Sequence, residues 1–433
     1  MISKLSEALK QHDLIDRAYA SREHPALFHI PSDDERPYLR FGDKRTREAR
    51  PEFLARDLMQ CGPFRLQARF ENRPLRAAVV NAFGEKLDDF LEALRRMLGK
   101  QMSFQIEIAK ERTVRVLSLA NLDSALKVVE KETPDIVLFF LPDEEANPTD
   151  NYAQYVKDLT LSKGLPAHII RRNSIDDPEA MPELIAAILA RTGNTPAALA
   201  DPIEGFDLVV GLDLARRAAD NRSYLVGAAR IYGADGTFQR YAIREADITG
   251  DAPPYLLLRA LFTQKAFGGK RIVLHVNGRL PQEIRAALHL WGQAIKARFA
   301  IVEIIRRGAP RLYALENGRV SAPPGGCSFI PEPTQALLIL TSNDDEAPSE
   351  THTARPDRQR KIYLGATPQP VQVMAEGISI QQALASVQRF ALLDYRPNPG
   401  GIPVTILNTD TLSAWLEQHG VLASPDGEAP FWL

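Results

Sequence analysis

Two apolar runs in this chain each end on a single short polar side chain. Phe206-Asp-Leu-Val-Val-Gly-Leu-Asp213 delivers a carboxylate, and Lys270-Arg-Ile-Val-Leu-His-Val-Asn277 delivers an amide. Carboxylates gathered at strand ends can share divalent metal ions, which activate water and stabilise a leaving oxygen. An amide offers only a neutral carbonyl and an N–H that donates, so one such replacement removes a full negative charge from the site. The pair therefore predicts a cleft that keeps its position and lacks the charge for two-metal hydrolysis. Taken singly, Asp213 also reads as a strand-end residue and Asn277-Gly278 as a turn.

The elements that would position these residues come from hydrophobic period. From Arg76 onward, short apolar strands alternate with amphipathic helices: Ala77-Ala-Val-Val, a helix from Glu85, Val114-Arg-Val-Leu, a helix from Leu122 to Lys131, and Asp135-Ile-Val-Leu-Phe-Phe-Leu. A helix from about Asn151 to Ser162, a strand Ala167-His-Ile-Ile-Arg and a helix Met181 to Arg191 complete the set. Such alternation predicts a parallel sheet covered on both faces, whose ligands bind at the carboxyl ends of the strands. After Gly193-Asn-Thr-Pro196 the order changes. Strand 206–213, strand 223–232, the turn Ala234-Asp-Gly-Thr and strand 238–243 form a meander, Asp-Gly between alternating runs being a hairpin signal. A helix from Pro254 to Ala266, the strand ending at Asn277, a helix from Pro281 to Ala297 and the strand 299–306 come next. This is the RNase H-like order, in which the first and fourth strands are neighbours, so Asp213 and Asn277 are expected side by side. The α/β chain thus divides into a peripheral arm (1–65), a Rossmann-like domain (66–203) and an RNase H-like domain (204–433). A polar, proline-containing loop is expected at about 342–360.

Bulk properties set limits without choosing a function. A net charge of -2 over 433 residues excludes a uniformly basic coat while leaving room for a local basic channel. Cys61 and Cys327 are too few and too far apart for a zinc site or a disulfide framework. No apolar run reaches bilayer length, so a cytoplasmic protein without membrane partners is expected.

The succession of a Rossmann-like and an RNase H-like module resembles the MID and PIWI halves of an Argonaute protein, and local segments carry the likeness. Asn151-Tyr-Ala-Gln-Tyr-Val-Lys157 with Ser162-Lys-Gly-Leu-Pro-Ala-His168 is similar to the MID pattern of tyrosine, lysine and, after Gly-x-Pro, glutamine. Ala187-Ile-Leu-Ala-Arg191-Thr-Gly-Asn-Thr-Pro196 resembles the Lys-Leu-Gly-Gly-x-Pro segment. Leu274-His-Val-Asn-Gly-Arg-Leu-Pro281 stands where the family has Arg-Asp-Gly-Arg, and Arg306-Arg-Gly-Ala-Pro-Arg311 resembles the family's next strand and loop. Pro403-Val-Thr-Ile-Leu-Asn and Ala429-Pro-Phe-Trp-Leu433 look like a PIWI C-terminus. The resemblance covers roughly residues 60–433 and lacks a PAZ domain, as in the short prokaryotic class.

The resemblance implies roles residue by residue. A guide strand's 5′ phosphate needs cationic donors and a stacking face for its first base. Lys157 and Arg191 would supply charge, Tyr152 or Tyr155 the ring, and His168 would stand in the glutamine's place. In relatives the terminal carboxylate helps hold a metal against that phosphate, a role that would fall to Leu433 with Mg2+. The fourth strand-end ligand would fall near Asn408 to Asp410, with Asn408 no match for a carboxylate. Arg279, Arg306, Arg307 and Arg311 would contact the nucleic-acid backbone. Each residue alone has a bland explanation: tyrosines pack, a helix-face lysine is solvated, and Arg191 suits a helix C-terminus.

The resemblance implies a guide-directed protein, with an RNA guide and a complementary DNA target, that recognises without cutting. It also implies a second subunit with an APAZ region fused to a TIR, sirtuin-like or nuclease effector, acting against plasmids or phage. Two other readings stay open: an active RNase H-like nuclease using Asp213 with Glu245, Asp247 or Asp410, and an unrelated α/β small-molecule enzyme.

Overall fold

The computed structural model describes residues 11, 28–32, 35–50, 53–143, 151–175, 177, 180–219, 222–248, 254–310, 312–316, 319–340, 369–395, 401–420 and 425–432. The loop expected at 342–360 and most of the first 27 residues lie outside this set. The chain forms two compact units, Met1–Arg36 with Val302–Leu384 and Pro37–Ile301 with Ala385–Leu433.

The larger unit holds both sheets foreseen from the sequence, except that the strand expected from Val114 lies earlier, at Ile106–Thr113, an edge strand whose alternating polar residues hide it among the charges. The first has strands β1 (Leu75–Asn81), β2 (Ile106–Thr113), β3 (Ile136–Leu141) and β4 (Ala167–Arg171), all parallel, in the order β2-β1-β3-β4. Every residue of β3 is buried, which its unbroken apolar run requires of a strand covered on both faces. Helix α1 (Asp88–Met102) buries Leu91, Leu94, Leu98 and Met102 at helical spacing. Helices α2 (Leu119–Glu130) and α3 (Tyr152–Ser162) start on side-chain caps, Ser118 accepting from Asn121 N–H and Asn151 from Gln154 N–H. Helix α4 (Ala180–Arg191) buries every residue from Leu184 to Ala190. A small three-stranded sheet from Tyr38–Arg40, Thr46–Glu48 and Ala198–Leu199 and a helix Leu54–Cys61 give the described part of the expected arm an ordered structure.

The second sheet is the expected meander. Strands β5 (Leu208–Ala219), β6 (Arg222–Gly233) and β7 (Phe238–Asp247) pair antiparallel, and β8 (Arg271–Asn277) runs parallel to β5 on its other side. Gly236, at φ +80°, makes the β6–β7 turn. One face of the sheet, with Leu208, Val210 and Leu212, packs on helices α5 (Tyr255–Leu261) and α6 (Gln282–Ile295). Residues of the opposite face meet the C-terminal segment. Gly211 lies against the Thr405 backbone so closely that a β-carbon there would stand 1.9 Å from the Thr405 carbonyl oxygen. The domain boundary expected at 203/204 lies inside this unit, where Asn408, Leu412 and Trp432 line a cavity with the first sheet's β4 and Leu199 N–H donates to the Asp235 carbonyl in the β6–β7 turn.

Strand β9 (Arg298–Ile305) crosses the boundary between the units. In the smaller unit β10 (Ser328–Glu332), β11 (Gln335–Leu338) and β12 (Val371–Glu376) pair antiparallel, and Phe28–His29 adds to the edge of β10. Helix α7 (Ile380–Ala391) also crosses the boundary, and α8 (Thr409–His419) belongs to the larger unit. No described helix is long and apolar enough to cross a membrane.

Candidate functional site

Two cavities open in the larger unit beside the start of α8. Asn408, Thr411 and Leu412 line one, and Thr409 and Ser413 line the other. At about 100° per residue these are different faces of one helix.

The first cavity, of about 340 Å³, gathers Lys157 from α3, His168 and Arg171 from β4, Arg191 from the last turn of α4, and Trp432. Lys157 forms no ion pair among the described residues, whereas Arg171 donates to the Pro142 carbonyl at 2.8 Å. The Nδ1 of His168 is buried without a hydrogen-bond partner among the described residues. Burial, and then the positive charge of Arg191, hold its pKa well below the ordinary histidine value, so its imidazole is neutral. Asn408 has left-handed backbone at φ +55° and turns its amide to donate to the Trp432 carbonyl at 2.8 Å. The first turn of α8 thus starts without a side-chain cap. Cations, a neutral imidazole with an unused nitrogen, and uncapped amides make this cavity suited to an anion with a terminal charge.

The two candidate stacking rings are elsewhere. Tyr152 and Tyr155 share the α3 face that packs on the core of the first sheet with Val156 and Leu159, and the Tyr152 hydroxyl approaches the Leu117 carbonyl at 3.4 Å. Helical period explains the correction: Gln154, Lys157 and Leu161 form the cavity face, and the tyrosines lie on the other. Neither ring lines the cavity. Leu433 and Arg311 lie outside the described residues, and Arg306 and Arg307 come after β9 in the smaller unit.

The second cavity, of about 200 Å³, contains Asp213, Asn277 and Arg279. The parallel register that sets Val276 beside Leu212 brings Asn277 alongside Asp213, as the strand order predicts. The carboxylate has a partner that the strand-end pattern does not reveal. Arg230 on β6, fully buried, places Nη2 2.6 Å from the Asp213 carboxylate, with both side chains 1% exposed. The contact is an ion pair whose angles are not those of a directed hydrogen bond. The same guanidinium donates to the Leu407 carbonyl and lies 5.0 Å from the centre of the Trp432 ring. A lone arginine within the apolar run Leu225 to Tyr232 was the available signal, since a buried charge demands an opposite one.

Asn277 donates its amide to Thr409 Oγ1 at 2.7 Å and to the Asp410 carboxylate at 2.9 Å. Asn408, expected in this cleft, belongs to the first cavity, because its left-handed backbone turns the side chain towards Trp432. Of the other candidate carboxylates, Glu245 pairs with Arg217, and Asp247 lies 3.8 Å from Arg222. Among the described residues no three His, Cys, Asp or Glu side chains form a group able to hold a metal ion. A carboxylate already paired with a guanidinium, beside an amide, does not fit a divalent pair.

No family model matches the chain. The Argonaute protein of Aquifex aeolicus is 23% identical over 400 residues, covering 88% of this chain and 52% of that protein. The solved structure of the Aquifex aeolicus Argonaute superposes with a TM-score of 0.71 at 19% identity over 92% of this chain and 54% of the other. Clostridium butyricum Argonaute bound to a guide DNA and a target DNA gives 0.67 at 13% identity over 94% of this chain and 55% of the other, and Drosophila Piwi gives 0.63 at 14% over 94% and 56%. The chain spans about half the length of the curated relative it matches. With two sheets in MID and PIWI order, a cationic cavity on the first and a strand-end pair on the second, the chain is similar to Argonaute proteins and has the fold of their MID and PIWI halves.

Proposed function

We propose that this chain holds a guide strand by its 5′ phosphate, recognises a complementary target by base pairing, and leaves that target uncut. The observation that carries the reading is the convergence of Lys157, His168, Arg171 and Arg191 on one cavity beside α8. Cationic donors around a phosphate form short, charge-assisted hydrogen bonds, and a neutral imidazole adds a directional one. The guide and target strands on the Clostridium butyricum protein, which shares the fold, support the same reading. Sequence would be read by the guide while the protein holds backbone and strand end. The Arg230–Asp213 pair and the amide of Asn277 support the absence of cutting.

Under this reading the guide is RNA, the target is DNA, and the output belongs to a second chain with an APAZ region and a TIR, sirtuin-like or nuclease effector. Binding of 5′-phosphorylated and 5′-hydroxyl RNA guides, followed by incubation with a complementary DNA in Mg2+ or Mn2+, tests it. Preference for the phosphorylated guide with an intact target is expected. Metal-dependent target cleavage that disappears in Asp213→Ala would overturn the non-cutting reading, and equal affinity for the two guides would overturn the phosphate pocket.

A further inference from the structure

The second cavity contains the wrong charges for a metal and the right ones for an anion. Its strand-end carboxylate, Asp213, is balanced by Arg230 inside the protein. Two further arginines, Arg216 and Arg279, line the same cavity, are exposed, and form no ion pair among the described residues. Asp410, the carboxylate bonded by Asn277, is the opposing charge at this edge, so cations outnumber carboxylates around the cleft. The hydroxyls of Thr409 and Ser413 line it as well.

We propose that Arg230 is the resident cation of this cleft and that the cleft receives a phosphodiester group directly, between Arg216 and Arg279, without a divalent ion. The placement of Arg230 is set by the fold. Asp213 pairs with Ala228 across β5 and β6, and Arg230 is two residues along β6, so both side chains leave the same sheet face. The Leu407 carbonyl and the Trp432 ring then fix the guanidinium against the carboxylate. A divalent ion bound to Asp213 would stand against that fixed positive charge at close range in a buried setting, where repulsion is strong. An anion between Arg216 and Arg279 meets two cations against the single carboxylate of Asp410, the charge of Asp213 being offset by Arg230. This inference rests on the guide-directed reading for the identity of the phosphodiester, and the internal cation stands apart from it.

The test has two arms on the full chain. In the first, Mn2+ binding is monitored by electron paramagnetic resonance in the wild type, N277D, N277D/R230K and N277D/R230Q. A second carboxylate alone should not create a site: N277D and N277D/R230K should stay without appreciable Mn2+, while N277D/R230Q binds it at least about tenfold more tightly. Mn2+ bound equally well by N277D and N277D/R230Q would overturn the role of Arg230. In the second arm, affinity for a duplex oligonucleotide lacking terminal phosphates is measured in EDTA and in Mg2+, with R216A/R279A as the surface variant. Affinity should be unchanged by EDTA and fall about tenfold in R216A/R279A. An affinity that requires Mg2+, or that is indifferent to both arginines, would overturn the anion site. The manganese arm uses no nucleic acid, so a failure of guide recognition alone leaves its outcome standing.

Discussion

The guanidinium of Arg230 and the carboxylate of Asp213 meet 2.6 Å apart in the larger unit, each side chain 1% exposed. The relationship makes Asp213 a counter-charge, which reverses what its removal should do to stability. In a cluster of metal-binding carboxylates the charges repel one another when no metal is present, and deleting one relieves the fold. Here deletion leaves a buried arginine unpaired. Asp213→Ala and Asp213→Asn should each destabilise the protein by about 3–5 kcal/mol, and the double variant Asp213→Leu/Arg230→Met should recover most of the loss. Urea denaturation monitored by tryptophan fluorescence reads this, and a stabilised Asp213→Asn would refute the pairing.

The cationic cavity makes a separate prediction, because under the proposed function its charges act on a guide's 5′ phosphate. Lys157→Ala and Arg191→Ala should each weaken binding of a 5′-phosphorylated guide by about 1.5–3 kcal/mol, the range for charge-assisted hydrogen bonds. Affinity for the same strand with a 5′ hydroxyl should hardly change. Filter binding with the two strands gives the comparison, and an equal loss for both would assign these residues to the backbone instead of the terminal phosphate.

Much of this arrangement is legible in the sequence. The period of the apolar runs gives both sheets, and the strand order places Asn277 beside Asp213, since a meander followed by a crossover leaves little freedom in which strands touch. The convergence of Lys157, His168 and Arg191 reflects strand ends and helix termini meeting at one edge. Side-chain direction is less accessible. Tyr152 and Tyr155 lie on the same helix as Lys157, and only the packing of α3 decides which face takes the cavity. Asn408 illustrates the same limit, its left-handed backbone sending it into the neighbouring cavity. Arg230 is hidden for another reason: it lies inside an apolar strand, away from the polar strand ends where charge is expected.

The tyrosines carry a prediction that comes from that correction. Tyr155→Ala removes a ring packed on the first sheet's core, so it should cost stability in the range of about 1–3 kcal/mol typical of partly buried side chains. The ratio of affinities for phosphorylated and hydroxyl guides should stay as in the wild type. A changed ratio in a variant of unchanged stability would return the ring to the cavity.

His275 sets how the fold responds to acid. It is fully buried, with Nδ1 2.8 Å from Thr405 Oγ1 and Nε2 2.9 Å from Ser386 Oγ, and burial pushes its pKa down to about 3. An unfolded histidine takes up a proton near pH 6.5 and this folded one does not, so falling pH favours the unfolded chain. The stability from the neutral ring is complete above about pH 6.5 and is lost progressively as pH falls towards 3, at about 1.4 kcal/mol per pH unit. His168, whose pKa is also held low, acts in the same direction. Between pH 7.5 and pH 5 the chain should therefore lose about 2 kcal/mol through His275 alone. His275→Gln keeps a hydrogen-bonding side chain without the titration and should flatten that slope, though its stability at pH 7.5 is lower. Denaturation midpoints at the two pH values decide the matter, and an unchanged slope in His275→Gln would remove His275 as the acid-sensitive group.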